Sequence, residues 1–166
     1  MKNQKKYIRE YLEHMLQKFE EVFKDWPFDS CRNAIDAARK WANDPTEENY
    51  AQWELAYSYA DCHACLGELY RPAWISLRYA MRFARYSLNI SQDSMTDSCS
   101  EAAWAVARLV HAVTCKEFPN KINSPWDLPP HYNETAEAAR EAALAAEKEW
   151  QTECLANLQD NDTTGE

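Results

Sequence analysis

Glycine is almost absent from this chain, which has two glycines in 166 residues, and one of them is Gly165 near the end. Tight turns between strands depend on glycine because it adopts positive φ without steric cost. Alanine is abundant instead and is interleaved with tryptophan, as in residues 102–105. Because alanine is the strongest helix former, this composition predicts an all-α protein, an irregular bundle of about six helices.

The spacing of apolar residues gives the positions of these helices. Apolar side chains recur at intervals of three and four over residues 3–24, which is typical of a helix with one wide buried face. The third helix has the clearest start signal, Asp44-Pro45-Thr46-Glu47, in which Asp44 caps and Pro45 occupies the first turn. This helix is expected to end at Gly67. The other predicted helices begin at Ser30 or cover 72–88, 96–117 and 134–158.

Residues 118–133 interrupt the helical pattern and contain four of the seven prolines. The large apolar side chains of this segment are Phe118, Ile122, Trp126, Leu128 and Tyr132. We therefore expect an ordered loop, which either straps the bundle or forms part of a binding surface. On this interpretation residues 1–160 are a single helical domain and residues 161–166 are an acidic flexible tail.

The chain has a formal net charge of −9, and the negative charge is concentrated towards its end. From Glu134 onward, nine acidic residues are opposed by Arg140 and Lys148 alone. An acidic protein repels nucleic-acid phosphates, so we expect no direct nucleic-acid binding; the charge serves solubility or a basic protein partner. The predicted partner-binding residues are Glu147, Glu149 and Glu153 on the last helix with Trp126 and Tyr132 in the loop.

The first residues, Met-Lys-Asn-Gln-Lys-Lys, lead into an amphipathic stretch, so we expect no export signal, no membrane span and a cytoplasmic location. In the cytoplasm the cysteines are expected to be reduced and to act as small apolar residues. The six are Cys31, Cys62, Cys65, Cys99, Cys115 and Cys154.

Cys62-His63-Ala64-Cys65 has the Cys-x-x-Cys spacing of thiol oxidoreductases. In those proteins a helix N-terminus lowers the thiol pKa, whereas this motif is predicted near the C-terminal end of the third helix. Cys62 and Cys65 could also supply two zinc ligands, with His111 or Cys115 adding others. Buried apolar thiols are the alternative, and the prediction is that the protein has no metal, no cofactor and no catalytic residue.

The segment 69–92 contains no acidic residue but has four arginines interleaved with aromatic residues. The four are Arg71, Arg78, Arg82 and Arg85. Guanidinium groups bind phosphate oxygens and aromatic rings stack on bases, so the helix over 71–86 could bind a phosphate or a nucleotide. Alternatively, the arginines pair with acids of the preceding helix. The candidate acids are Glu54, Asp61 and Glu68.

Two segments carry a family resemblance. Cys-Arg-Asn-Ala-Ile-Asp-Ala-Ala-Arg-Lys-Trp-Ala-Asn-Asp-Pro-Thr-Glu-Glu-Asn (31–49) and Glu-Ala-Ala-Trp-Ala-Val-Ala-Arg-Leu-Val-His-Ala-Val (101–113) are similar to the alanine-rich helical immunity proteins of bacterial polymorphic toxin systems. Residues 138–155 resemble related Ala/Trp-rich helical proteins, uncharacterised, from phages and their hosts. The resemblance covers residues 30–158 apart from the proline-rich loop, and it implies a non-enzymatic inhibitor that neutralises its target by binding it.

These observations predict a binding protein rather than an enzyme. Its partner would be a basic toxin or a defence nuclease complex, of the CRISPR type or another. Two alternatives stay open: a phosphate- or nucleotide-binding protein that uses the helix over 71–86, and a structural module that forms homo-oligomers.

Overall fold

The computed structural model describes residues 2–89, 93–116 and 130–163, and these residues form six α-helices and no strand. The helices are α1 Lys2–Phe23, α2 Asp29–Asn43, α3 Glu47–Ala60, α4 His63–Asn89, α5 Asp93–Lys116 and α6 Pro130–Thr163. The predicted all-α bundle is confirmed. Most of the predicted proline-rich loop, including Trp126, lies outside the described residues, as do residues 164–166 of the predicted tail.

Helix α1 lies at the centre of the bundle and contacts α2, α4, α5 and α6. Of the apolar side chains that predicted its wide buried face, Val22 is only partly buried. The others are buried: Tyr7, Ile8, Tyr11, Leu12, Met15, Leu16, Phe19 and Phe23. Full burial of one such side chain stabilises a fold by about 1.5–3 kcal/mol. The buried face of α1 is therefore wide because several helices pack on it from different sides.

The rest of the bundle is built by pairing helices against α1. Helix α2 packs on α3, α4 packs on α5, and α6 packs on α5 and α1. Alanines bring α4 and α5 close together, since small side chains allow a short distance between helix axes. The buried alanines of this pair include Ala73, Ala80, Ala84, Ala102, Ala105 and Ala112.

A cluster of aromatic rings fills the space between α1, α3 and α4. Trp74 is fully buried, and the centre of its ring lies 5.8 Å from that of Phe19 and 5.6 Å from those of Phe23 and Tyr57. Tyr57 stacks on Trp74 with 13° between the ring planes. Aromatic pairs at this distance add about 0.5–1.5 kcal/mol each to the burial of their area.

The predicted boundary between the third and fourth helices is wrong. Helix α3 ends at Ala60, Asp61 and Cys62 form the turn, and α4 begins at His63, so Gly67 and Pro72 both lie inside α4. Asp61 is the C-terminal cap of α3, and its N–H makes the last helical hydrogen bond, donating to the Tyr57 carbonyl at 2.8 Å. Pro72 is exposed, and its ring leaves one carbonyl of the preceding turn without an N–H partner.

The other helix starts also differ from the prediction: α2 begins at Asp29 rather than Ser30, α5 begins at Asp93 rather than at residue 96, and α3 and α6 differ as follows. Thr46 rather than Asp44 caps α3: its hydroxyl accepts from the Asn49 N–H at 3.2 Å, while Asp44 ends α2. Thr46 provides the capping hydroxyl next to the first helical residue, as capping geometry requires. Helix α6 begins at Pro130, four residues before the predicted start at Glu134, because proline is favourable in the first turn of a helix.

Candidate binding surfaces

Several polar contacts attach α6 to α1 and α5. The Gln151 side chain donates to the Cys99 carbonyl at 2.9 Å, and the Tyr7 hydroxyl donates to the Gln151 carbonyl at 3.2 Å. Further along, His14 Nε2 lies 3.1 Å from Glu147 Oε1. Gln151 and Glu147 are both buried, and each is satisfied by one of these contacts, as buried polar groups require.

The predicted acidic residues of α6 have different environments. Glu147 is 8 % exposed and pairs with His14, whose ring stacks on Trp150 at 3.9 Å between centres and 11° between planes. Glu149 and Glu153 are exposed to solvent, as is Glu141. The exposed acidic surface of α6 is therefore formed by residues other than Glu147. Tyr132 belongs to the first turns of α6, but its side chain is outside the described part of the structure.

An apolar groove lies between α1, α5 and α6 and encloses about 440 Å³. Its apolar lining is Val22, Val106, Leu109, Val110, Val113, Ala143 and Ala146. Lys18, Glu21, Thr114 and Glu147 are the polar residues that complete it. The groove exists because α6 presents small alanines opposite the valines of α5, so the facing side chains do not fill the space. We call this the α1/α5/α6 groove.

The size and the lining of this groove suit the binding of an apolar group. Binding pockets of about 300–1,000 Å³ with a mostly apolar lining and a few polar groups are typical of ligand sites. Glu21 places an exposed carboxylate in the lining, with Lys18 beside it, whereas the Glu147 carboxylate is buried. The sequence analysis placed Val106, Val110 and Val113 on one face of α5 but did not predict the groove. It could have been anticipated from the small alanines of α6, which are too short to cover these valines.

The arginines of α4 are distributed along α3, with which α4 runs antiparallel. Arg85 makes a two-pronged ion pair with Glu47, with Nε 3.1 Å from the carboxylate. At the other end, Arg71 Nε lies 4.0 Å from Asp61. The second interpretation of this segment, pairing with acids of the preceding helix, therefore describes these two arginines, although Glu47 had not been proposed as a partner.

Tyrosines of α3 lie beside the same arginines. The Arg85 guanidinium lies 4.3 Å from the Tyr50 ring centre, and that of Arg78 lies 5.4 Å from the Tyr57 ring centre. Burial raises the pKa of Tyr50 to about 12 and also raises that of Tyr57, the nearby arginines acting against the shift. The arginines thus form a row of separate contacts, and they do not converge on one anion site.

Arg78 and Arg82 differ from the other two arginines. Among the described residues, no carboxylate lies within 4 Å of either guanidinium group. Arg82 contacts Tyr86, whose ring centre is 5.7 Å from the guanidinium carbon. Both arginines are exposed on the outer side of α4 beside Ile75 and Tyr79.

The Cys-x-x-Cys motif lies at the N-terminus of α4, where the Leu66 N–H donates to the Cys62 carbonyl, and not at the end of α3 as predicted. The Cys62 side chain is exposed, and that of Cys65 is not described. Cys31 and Cys115 are buried, and burial raises the pKa of the Cys99 thiol to about 11. Across the described ranges, no three His, Cys, Asp or Glu side chains are grouped closely enough to hold a metal ion.

Comparison with models of known protein families, with curated proteins and with solved structures finds no match for this chain. Within the described ranges, no helix has an apolar stretch that would reach across a lipid bilayer. The arguments that follow therefore depend on the residues and geometry of the two surfaces described above.

Proposed function

We propose that this protein is a cytoplasmic, non-enzymatic binding protein that neutralises a basic toxin or defence nuclease by direct contact. The observation that carries the proposal is the α1/α5/α6 groove, an apolar space of about 440 Å³ with the exposed Glu21 in its lining. Such a groove suits an amphipathic helix that presents apolar side chains to the valines and a lysine or arginine to Glu21.

Charge supports the choice of a basic partner. The chain carries a net charge of −9, and Glu149 and Glu153 extend the negative surface along the exposed side of α6. Toxins and nucleases that act on nucleic acid have basic active-site rims, because these rims attract phosphate. An acidic surface that covers such a rim would block substrate by occlusion and by electrostatic competition.

Affinity purification with groove variants tests this proposal. Tagged wild-type protein and a Val110→Glu variant are purified from cells in which the protein occurs naturally, and bound proteins are identified by mass spectrometry. We expect the wild type to retain a basic protein that salt elutes, and the variant to lose it, because a carboxylate in the groove disfavours apolar contact. The purified partner should then lose activity when wild-type protein is added.

Leu55→Glu is the matched control, since it places the same charge on an exposed position of α3, away from the groove. It should retain the partner. Equal recovery of the same basic protein by wild type and Val110→Glu would refute binding in the groove, and an unaffected partner activity would refute inhibition.

A further inference from the structure

The outer face of α4 combines apolar side chains with uncompensated positive charge. Ile75, Tyr79 and Phe83 form one row at intervals of four residues, and Ile75 and Tyr79 are 38 % and 43 % exposed. Arg78 and Arg82 form a second row beside it. Large apolar side chains grouped in this way on a surface are typical of protein contacts.

The positive charge of this face is accessible to solvent, since Arg78 and Arg82 are exposed although their guanidinium groups lie beside tyrosine rings. No carboxylate of the described residues lies within 4 Å of Arg78 or Arg82, and residues 69–92 contain no acidic side chain. In a chain of net charge −9, these two guanidinium groups form a local region of opposite sign. A partner surface that fits must therefore supply carboxylates and must be flat enough for the row of aromatic rings to contact it.

The outer face of α6 meets both requirements. Glu149 and Glu153 are exposed, take part in none of the ion pairs among the described residues, and are four residues apart, as are Arg78 and Arg82. This spacing corresponds to about 6 Å along either helix. Exposed alanines at 138, 142 and 145 make the adjoining surface flat and cost little side-chain entropy on binding.

We propose that the outer face of α4 binds the outer face of α6 on a second copy of this chain. Arg78 and Arg82 pair with Glu149 and Glu153 of the second copy, and the Ile75 and Tyr79 side chains pack on its alanines. Because the two faces differ, the contact is head-to-tail and produces a ring or a chain of copies. The proposal goes beyond the proposed function and does not depend on the groove, whose residues take no part. Glu149 and Glu153 also belong to the acidic surface proposed to meet a basic partner, so a second copy would compete with that partner there.

Charge reversal and its rescue test the contact by sedimentation velocity. We expect the average sedimentation coefficient of the wild type to rise from micromolar to millimolar concentration, and to rise less at high salt. Arg78→Glu with Arg82→Glu, or Glu149→Arg with Glu153→Arg, should raise the dissociation constant by at least about tenfold, because like charges then face each other. All four substitutions in one chain restore opposite charges and should restore association.

Lys5→Glu with Lys6→Glu is the control, because it changes the net charge as the arginine reversal does but on exposed residues of α1. This control should associate like the wild type, and circular dichroism should show every variant to be helical. A wild type that stays monomeric at all concentrations overturns the proposal. A folded four-substitution variant that fails to associate also overturns it. A monomeric wild type that binds a single-stranded oligonucleotide through Arg78 and Arg82 would show that this face binds nucleic acid instead.

Discussion

At the scale of single residues, Glu147 and His14 form the polar contact that joins the middle of α6 to α1. The carboxylate is 3.1 Å from the imidazole, and Trp150 covers the other side of the ring by stacking. Glu149, two residues along, is exposed to solvent. Identical side chains therefore differ in role, because their position around the helix decides which one lies towards α1.

Glu147→Ala should reduce the free energy of unfolding by about 1–3 kcal/mol, because it leaves a half-buried imidazole nitrogen without its partner. Glu149→Ala should change the free energy of unfolding by less than about 0.5 kcal/mol, as is usual for exposed side chains. Urea denaturation of both variants measures the difference. Equal effects of the two substitutions would show that the His14 contact adds no stability.

Cysteine reactivity provides a second test at this scale. The pKa of Cys99 is raised to about 11 by burial, so at pH 8 about a thousandth of this thiol is the reactive thiolate. Cys62 is exposed. Pulsed alkylation with iodoacetamide, read by peptide mass spectrometry, should modify Cys62 well before Cys99. Faster modification of Cys99 would contradict its half-buried position and its raised pKa.

At the scale of helices, the start of α3 shows how a capping signal in a sequence can be shared between neighbouring residues. Asp44, Pro45 and Thr46 all suit a helix start, and the sequence analysis assigned the cap to Asp44. Asp44 instead ends α2 and accepts the Asn49 side-chain amide at 3.0 Å, which leaves Thr46 to cap. Local propensity predicts that a helix begins here, whereas the packing of α2 on α3 decides at which residue.

Thr46→Ala should reduce the free energy of unfolding by about 1 kcal/mol through loss of the cap. Thr46→Ser keeps the hydroxyl and should lie close to the wild type. Thermal unfolding followed by circular dichroism compares the three proteins. If the alanine variant unfolded at the wild-type temperature, Thr46 would not be the cap.

The errors in α3 and α4 share one cause. Gly67 and Pro72 are strong local signals for helix ends, but both lie within α4, whose side chains Leu66, Tyr70 and Trp74 are buried on the same side. Burial of this continuous face outweighs the local cost of glycine and proline. The stripe of α1 was predictable because its spacing alone determines a buried face.

At the scale of the whole molecule, tyrosines and thiols with raised pKa values make the free energy of unfolding depend on pH. Burial raises the pKa of Tyr50 to about 12 and that of Cys99 to about 11, and it raises the pKa of Tyr11 as well. Each group is favoured in its neutral form when folded. Its contribution to stability is complete below its ordinary pKa and is lost as pH rises towards the folded pKa.

The free energy of unfolding should therefore fall between about pH 9 and pH 12. Urea denaturation at a series of pH values measures this decline. Tyr50→Phe, which cannot ionise, should show a shallower decline above pH 10 than the wild type. Identical slopes for the two proteins would show that Tyr50 ionises as easily in the folded state as in the unfolded state.

The fold class was predictable from composition, because a chain so poor in glycine and rich in alanine is restricted to helices. The candidate site was predictable only in part. The acidic character of α6 is visible in the sequence, but the direction of Glu147 and the groove beside it depend on how α6 lies on α1 and α5. The alanines that leave the groove unfilled look in the sequence like ordinary close-packing residues.

Photo-crosslinking from the groove decides whether a partner protein binds there. A benzophenone amino acid replaces Val113 in the groove, or Gln52 on the exposed side of α3 as a control, and cells that naturally contain the protein are irradiated. We predict a covalent adduct with one basic protein from position 113 and none with that protein from position 52. Absence of any adduct at position 113, or the same adduct from both positions, would contradict the proposed function.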